Sequence, residues 1–149
     1  MGALLLTIHI IAVATWLGAS VTQALVTPAM QKTGGASAAA WMRQTTRMSV
    51  VLYMPAAIVL LITGVWMVVR ESLYDFEQTF VAIGFLAIVA GTVLGIKIFG
   101  PGGEKTAELH EAGDKTGADE SHRRLAMYGV FDIVLVGFTI WAMVERLGL

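Results

Sequence analysis

The sequence contains no cysteine, which removes disulfides, thiolate metal sites and thiol nucleophiles together. Charge is scarce too: 14% of the 149 residues are Asp, Glu, Lys or Arg, against roughly 25% in ordinary soluble domains. Ten basic and eleven acidic side chains leave a net charge of −1. With no basic excess to meet a phosphate backbone, nucleic acid is not an expected partner. Glycine-rich phosphate loops, Ser–His–Asp arrangements and dinucleotide fingerprints are also missing, so no enzyme activity of the soluble kind is expected.

What the chain does have is apolar length. Hydrophobic residues make up 56% of it, and the mean hydropathy is +0.73. A hydrocarbon core of ~30 Å needs about 20 mostly apolar residues as helix. Four runs qualify: residues 4–27, closed by Pro28; 48–69, stopped by Arg70-Glu71; 80–99, ended by the breaker Gly100-Pro101-Gly102-Gly103; and 125–144, extended backward as helix through Ser121-His122-Arg123-Arg124. The runs are continuously apolar rather than alternating, which selects helices over barrel strands. The expected fold is therefore all-α, a single membrane domain over residues 1–149 built as an antiparallel four-transmembrane-helix bundle in a lipid bilayer. The first run lacks a basic leader and outlasts the apolar core of a signal peptide, so it is expected to remain as a span.

Basic residues set the orientation. Lys32, Arg43, Arg47, Lys97, Lys105, Lys115, Arg123 and Arg124 share one side, and only Arg70 and Arg146 lie on the other. The positive-inside rule then places both termini outside a bacterial inner membrane and loops 1–2 and 3–4 in the cytoplasm. Residues 100–124, which carry about half of all charged side chains, read as a charged, partly helical cytoplasmic loop. Its His110 and Asp114 share a helix face but match no specific metal pattern, and no metal site is expected there.

Polar residues inside the spans are few and placed. His9, Trp16, Ser20, Gln23 and Thr27 follow one face of the first helix. In a bilayer, polar and small residues turn toward neighbouring helices, so this stripe faces the bundle or a partner. A neutral imidazole at His9 packs against a hydroxyl or carbonyl, ligates haem iron or copper, or handles protons or a quinone. Met67 and Met143 lie at comparable depth, and imidazole with thioether suits both haem iron and copper, although methionine is also an ordinary core filler. Asp132 costs ~2.5–3.5 kcal/mol at a helix centre on insertion scales. It is expected to be partnered, with Lys97, Arg47 and the Tyr53 hydroxyl as candidates, or protonated, or facing a water-filled pocket. Its role is then a structural ion pair that fixes the fourth helix, or a proton-relay or ligand site. Gly84, Ala87, Gly91 and Gly95 give the third helix a smooth face, suited to close packing within the bundle or against another subunit. Trp66 and Trp141 suit an outer interfacial belt.

The first span, Ile8-His9-Ile-Ile-Ala-Val-Ala-Thr-Trp16-Leu-Gly18-Ala followed by Val26-Thr-Pro28, resembles the opening helix of a bacterial four-helix integral membrane family of unknown function. That family is related to CopD-like domains and HemJ-type proteins. The likeness continues through Arg43, Arg47, Thr63-Gly64, Arg124, Gly129 and Met143. It implies a four-helix membrane fold in which His9 holds haem b or copper. The HemJ-type pattern would also place a haem-ligating lysine on the third helix. Lys97 stands at the inner end of that helix, away from His9, and Leu25-Val-Thr-Pro28 replaces the Tyr-x-Pro-Arg motif; both depart from protoporphyrinogen oxidase.

Two functions follow. One is a non-catalytic accessory or assembly subunit of a larger redox or energy-transducing membrane complex, or of a homo-oligomer. The other is a membrane protein that binds haem b or copper through His9. Beside these stands proton or small-solute passage past Asp132, although no chain of acids leads away from it.

Overall fold

The computed structural model describes residues 2–70 and 74–148; Glu71, expected to help stop the second span, lies outside them. Six α-helices, α1 (Gly2–Thr33), α2 (Gly35–Met48), α3 (Met54–Arg70), α4 (Thr79–Leu94), α5 (Gly100–Glu111) and α6 (Lys115–Val144), are arranged as four long rods. A π-helical turn at Ser49–Tyr53 joins α2 to α3, and a second at Gly95–Phe99 joins α4 to α5. All four rods are long and apolar enough to cross a membrane, and no strand occurs among the described residues. The chain is an all-α, four-helix integral membrane protein.

Three expected boundaries move. The first helix does not stop at Pro28 but continues to Thr33. Gly34 alone separates it from α2, and Gly34 and Gly35 both have positive φ (66° and 56°). That backbone suits glycine, because a Cβ strains this region. The third rod likewise runs through Gly100-Pro101-Gly102-Gly103 to Glu111. Pro101 occupies the opening turn of α5, where its missing N–H matters least. The neighbouring glycines provide closeness instead of a break. A Cβ on Gly102 would lie 2.6 Å from Leu125 Cδ2, and one on Gly103 would collide with the Thr46 hydroxyl. Tertiary contact has overridden local breaker chemistry. Finally, residues 100–124 are helical apart from a short turn at 112–114. Gly113 supplies positive φ there, and Asp114 caps α6 by accepting from the Gly117 N–H at 2.9 Å.

The 33 residues from Thr79 to Glu111 span about 50 Å at 1.5 Å per residue, well beyond the ~30 Å hydrocarbon core. The excess forms a helical stalk at the end away from the termini. Its small core is Ala39, Met42 and Ala107, with Trp41 and Leu125 packed against it. Arg43 ties α2 to α5 through Glu104 at 3.1 Å and Glu111 Oε2 at 2.9 Å. Hydrogen bonds from Arg43 hold the exposed Glu111 carboxyl below its ordinary range. Buried His110 meets Gln31 of α1, so this histidine closes the stalk.

In the membrane region the outward faces are apolar: Leu4, Ile11, Leu25, Val69, Leu86 and Val134 are each more than half exposed. Inside lie Ala12, Trp16, Ala56 and Leu60 at mid-bundle, and Phe80, Val81 and Ala142 toward the termini. Low burial is what lipid-facing helices require, since packing and polar contacts join helices in a bilayer.

Candidate functional site

The polar stripe of α1 turns inward as expected. His9, Trp16 and Thr27 are buried, and Ser20 is half-buried. Thr27 accepts from the Trp41 indole N–H at 3.0 Å, while the Gln23 amide donates to the Met48 thioether at 3.7 Å. The face therefore serves two separate centres, each beside its own cavity.

The first centre is His9. Its Nδ1 lies 2.7 Å from Thr63 Oγ1, and Thr63 Oγ1 lies 2.6 Å from the Val59 carbonyl one turn back. A hydroxyl has a single hydrogen. Thr63 donates it to Val59, so its oxygen accepts from His9, and the proton of the neutral imidazole sits on Nδ1. Nε2 then carries a free lone pair and has no hydrogen-bond partner among the described residues. Such an N–H bond on the far nitrogen is how proteins orient a histidine that ligates metal.

His9 lines a cavity of about 190 Å³ that Met67 and Met143 also line. Met67 stands four residues after Thr63 on α3, and Met143 four residues after Thr139 on α6, so each thioether shares a face with an inward threonine. Thr63 and Thr139 are 4% and 8% exposed, which fixes those faces inward. Gly84 gives Met143 its room: a Cβ there would lie 2.7 Å from the methionine Cε. Gly64 lies beside the imidazole, with its Cβ position 3.8 Å from His9 Cε1. The three sequence candidates for ligation are thus brought to one cavity. Thr63 is the residue that sequence reasoning missed in this role. Its signals in the sequence were its place in the likeness, as Thr63-Gly64, and its position four residues before a methionine.

A cavity of about 190 Å³ falls below the ~300–1,000 Å³ typical of cofactor-sized ligands. A bare ion needs no more room than this. The donor set also fits an ion of one kind. Imidazole nitrogen and thioether sulfur are soft to borderline ligands that favour Cu(I). Hard cations are poorly served, because among the described residues no three His, Cys, Asp or Glu side chains converge.

The second centre is Asp132, 4% exposed. Its Oδ2 accepts from the Trp16 indole N–H at 3.2 Å and from the Ser20 hydroxyl at 3.1 Å. Ser20 also lies 3.2 Å from the Tyr53 hydroxyl. Of the expected partners, Tyr53 belongs to this network through Ser20. Lys97 and Arg47 do not; both are exposed, and neither pairs with Asp132 among the described residues. Two neutral donors on α1 satisfy one carboxylate oxygen, Oδ2. The π turn at Ser49–Tyr53, just before Pro55, sets the Tyr53 ring edge-on to Trp16 with centroids 5.6 Å apart.

Trp16 borders both cavities and separates the two centres. It follows His9 by seven residues, about 10 Å along α1. Gly91 of α4 makes that position available: a Cβ there would lie 2.5 Å from Trp16 Cζ2 and 3.6 Å from Asp132 Oδ1. The small face of α4 is therefore spent partly inside the bundle, with Gly84 serving Met143 and Gly91 serving Trp16. At the rim, Trp66 and Trp141 are 42% and 50% exposed, and Arg70 lies 5.8 Å from the Trp66 ring centroid.

Compared with family models, curated proteins and solved structures, the chain matches none.

Proposed function

We propose that this integral membrane protein binds copper(I) among α1, α3 and α6, with His9 Nε2 as nitrogen ligand and the Met67 and Met143 thioethers as sulfur ligands. One observation carries the reading. The Thr63 hydrogen bond fixes the His9 tautomer and leaves Nε2 unpaired beside a cavity that both methionines line. Soft N and S donors suit Cu(I) without any thiolate. Thr63 orients the ring, Gly84 leaves space for the Met143 thioether, and Phe80, Val81 and Leu60 supply apolar walls. The first-helix likeness to CopD-like domains points the same way. By the positive-inside rule, the site lies toward the outer face of a bacterial inner membrane, with the stalk in the cytoplasm.

This reading takes precedence over an accessory subunit. The glycine face that suggested docking to another subunit is in part consumed by Met143 and Trp16.

The test is Cu(I) competition with a chromophoric chelator on detergent-purified protein, alongside a reduced-minus-oxidised visible spectrum. One copper per chain is expected, abolished in His9→Ala. Removing the orienting partner in Thr63→Val weakens affinity ~10–100-fold, and Thr63→Ser retains it. A haem b band that tracks the chain and vanishes in His9→Ala would replace copper with haem iron. Neither signal would end the metal reading and favour the accessory subunit.

A further inference from the structure

The larger cavity, about 610 Å³, lies on the stalk side of Trp16. Its wall is largely apolar and includes both π turns, through Ser49, Val50 and Tyr53 on one side and Gly95, Ile96 and Phe99 on the other. π turns recur at ligand sites because they displace a helix wall by part of a turn. Several wall residues, among them Val50, Met54, Ile58 and Val130, are more than 50% or 50% exposed on the outer surface of the bundle. The wall is thus one side chain thick toward lipid.

Asp132 is the polar anchor of this space. Its Oδ2 is saturated by Trp16 and Ser20. Its Oδ1 accepts no hydrogen bond from any described residue and faces Gly91, another wall residue. Among the described residues no lysine or arginine lines the cavity, and the other titratable wall residues are Tyr53 and His122. A buried carboxylate needs a countercharge or further hydrogen bonds. Trp16 and Tyr53 line the same space, with their rings edge to face at 5.6 Å, and aromatic rings attract cations.

From this geometry we propose that the cavity binds an amphipathic organic cation, its positive centre between Asp132 Oδ1, Trp16 and Tyr53 and its apolar body along the wall formed by α3 and the two π turns. The site is distinct from the His9 centre and does not depend on it. A volume of about 610 Å³ is in the range of sites for drug-sized ligands, and the thin wall gives a route from the bilayer, where such compounds partition.

The experiment is a titration of the purified full chain in detergent with tetraphenylphosphonium, followed by tryptophan fluorescence and equilibrium dialysis. A neutral apolar compound of similar size and a short-chain quinone serve as comparison ligands. Saturable binding of one cation per chain is expected, with the neutral compound at least 10-fold weaker. Asp132→Asn should lose more than 10-fold in cation affinity, and Asp132→Glu should recover part of it. Should Asp132→Asn fail to fold, Ala57→Phe fills the cavity from α3 with the carboxylate intact and should abolish binding. His9→Ala should bind the cation normally, which separates failure here from failure of the copper reading. Equal affinity for the neutral compound, undiminished cation binding in Asp132→Asn, or quinone binding without cation binding would each overturn the proposal.

Discussion

Replacing Gly91 with alanine adds a single methyl group where the structure has no room for it. The new Cβ would lie 2.5 Å from Trp16 Cζ2 and 2.9 Å from Cη2. These are ring atoms of a side chain that is 6% exposed and held by its hydrogen bond to Asp132, so the indole can yield only by giving up that bond. Overpacking of this kind costs ~1–3 kcal/mol, and losing a hydrogen bond to a charged group adds ~1.5–3 kcal/mol. Better helix propensity returns roughly 1 kcal/mol. The net destabilisation is therefore about 2–4 kcal/mol, given that the two losses overlap. Two other glycines provide the scale. At Gly84 the clash is with the Met143 methyl end, 2.7 Å away, and a flexible thioether can swing aside. At Gly137 nothing lies within 4 Å, so alanine should be neutral or slightly stabilising. Unfolding in mixed detergent micelles, followed by tryptophan fluorescence, would rank Gly91→Ala far below Gly84→Ala and Gly84→Ala below or level with Gly137→Ala. If Gly91→Ala unfolded at the same denaturant fraction as Gly137→Ala, Trp16 would not occupy the position described, and the partition between the two centres would fail with it.

Other perturbations test other parts of the molecule. Gly34→Ala places a Cβ at φ 66° in a turn of one residue and should destabilise by ~1–3 kcal/mol in the same micelle assay. Arg43→Gln removes the contacts to Glu104 and Glu111; because the pair is exposed, the effect at neutral pH should be small. The Arg43–Glu111 pair predicts a pH signature as well. A carboxyl whose folded pKa is lowered contributes stability above its unfolded value near 4.5, and this is lost as pH falls through the lower folded value. A melting series from pH 6 to pH 3 should therefore show an acid loss in the wild type that Arg43→Gln lacks in part. Leu125→Ala should loosen the stalk, where Leu125 packs over Gly102 and the Ala39–Met42–Ala107 core. Limited proteolysis should then cut near the Ala112–Asp114 turn sooner than in the wild type.

The spans were legible because 20 consecutive apolar residues have few alternatives. Their ends were not, and the reason is local in each case. Pro28 and the Gly100–Gly103 run are breakers by intrinsic preference, yet the helices continue through both. At the second site, Leu125 and Thr46 occupy the space that side chains at Gly102 and Gly103 would fill. Sequence alone lists the glycines without saying which neighbour needs them. The α1 stripe was readable from helical spacing, and so was the common depth of His9, Met67 and Met143. Thr63 was not, because a threonine bonded back to its own helix is commonplace until a histidine from another helix arrives on it. For Asp132, charge suggested Lys97 or Arg47, whereas the structure satisfies one carboxylate oxygen with an indole and a hydroxyl. Pairing by formal charge overlooks the neutral donors that a membrane interior favours, since burying a second charge has its own desolvation cost.

His9 Nε2 is the proposed nitrogen ligand, and X-ray absorption at the copper edge reads that ligation most directly. Protein loaded with one equivalent of Cu(I) should show one nitrogen and two sulfur scatterers. The nitrogen contribution should disappear in His9→Ala, and one sulfur should be lost in Met143→Leu. Copper surrounded only by nitrogen and oxygen, or a spectrum that His9→Ala leaves unchanged, would contradict it.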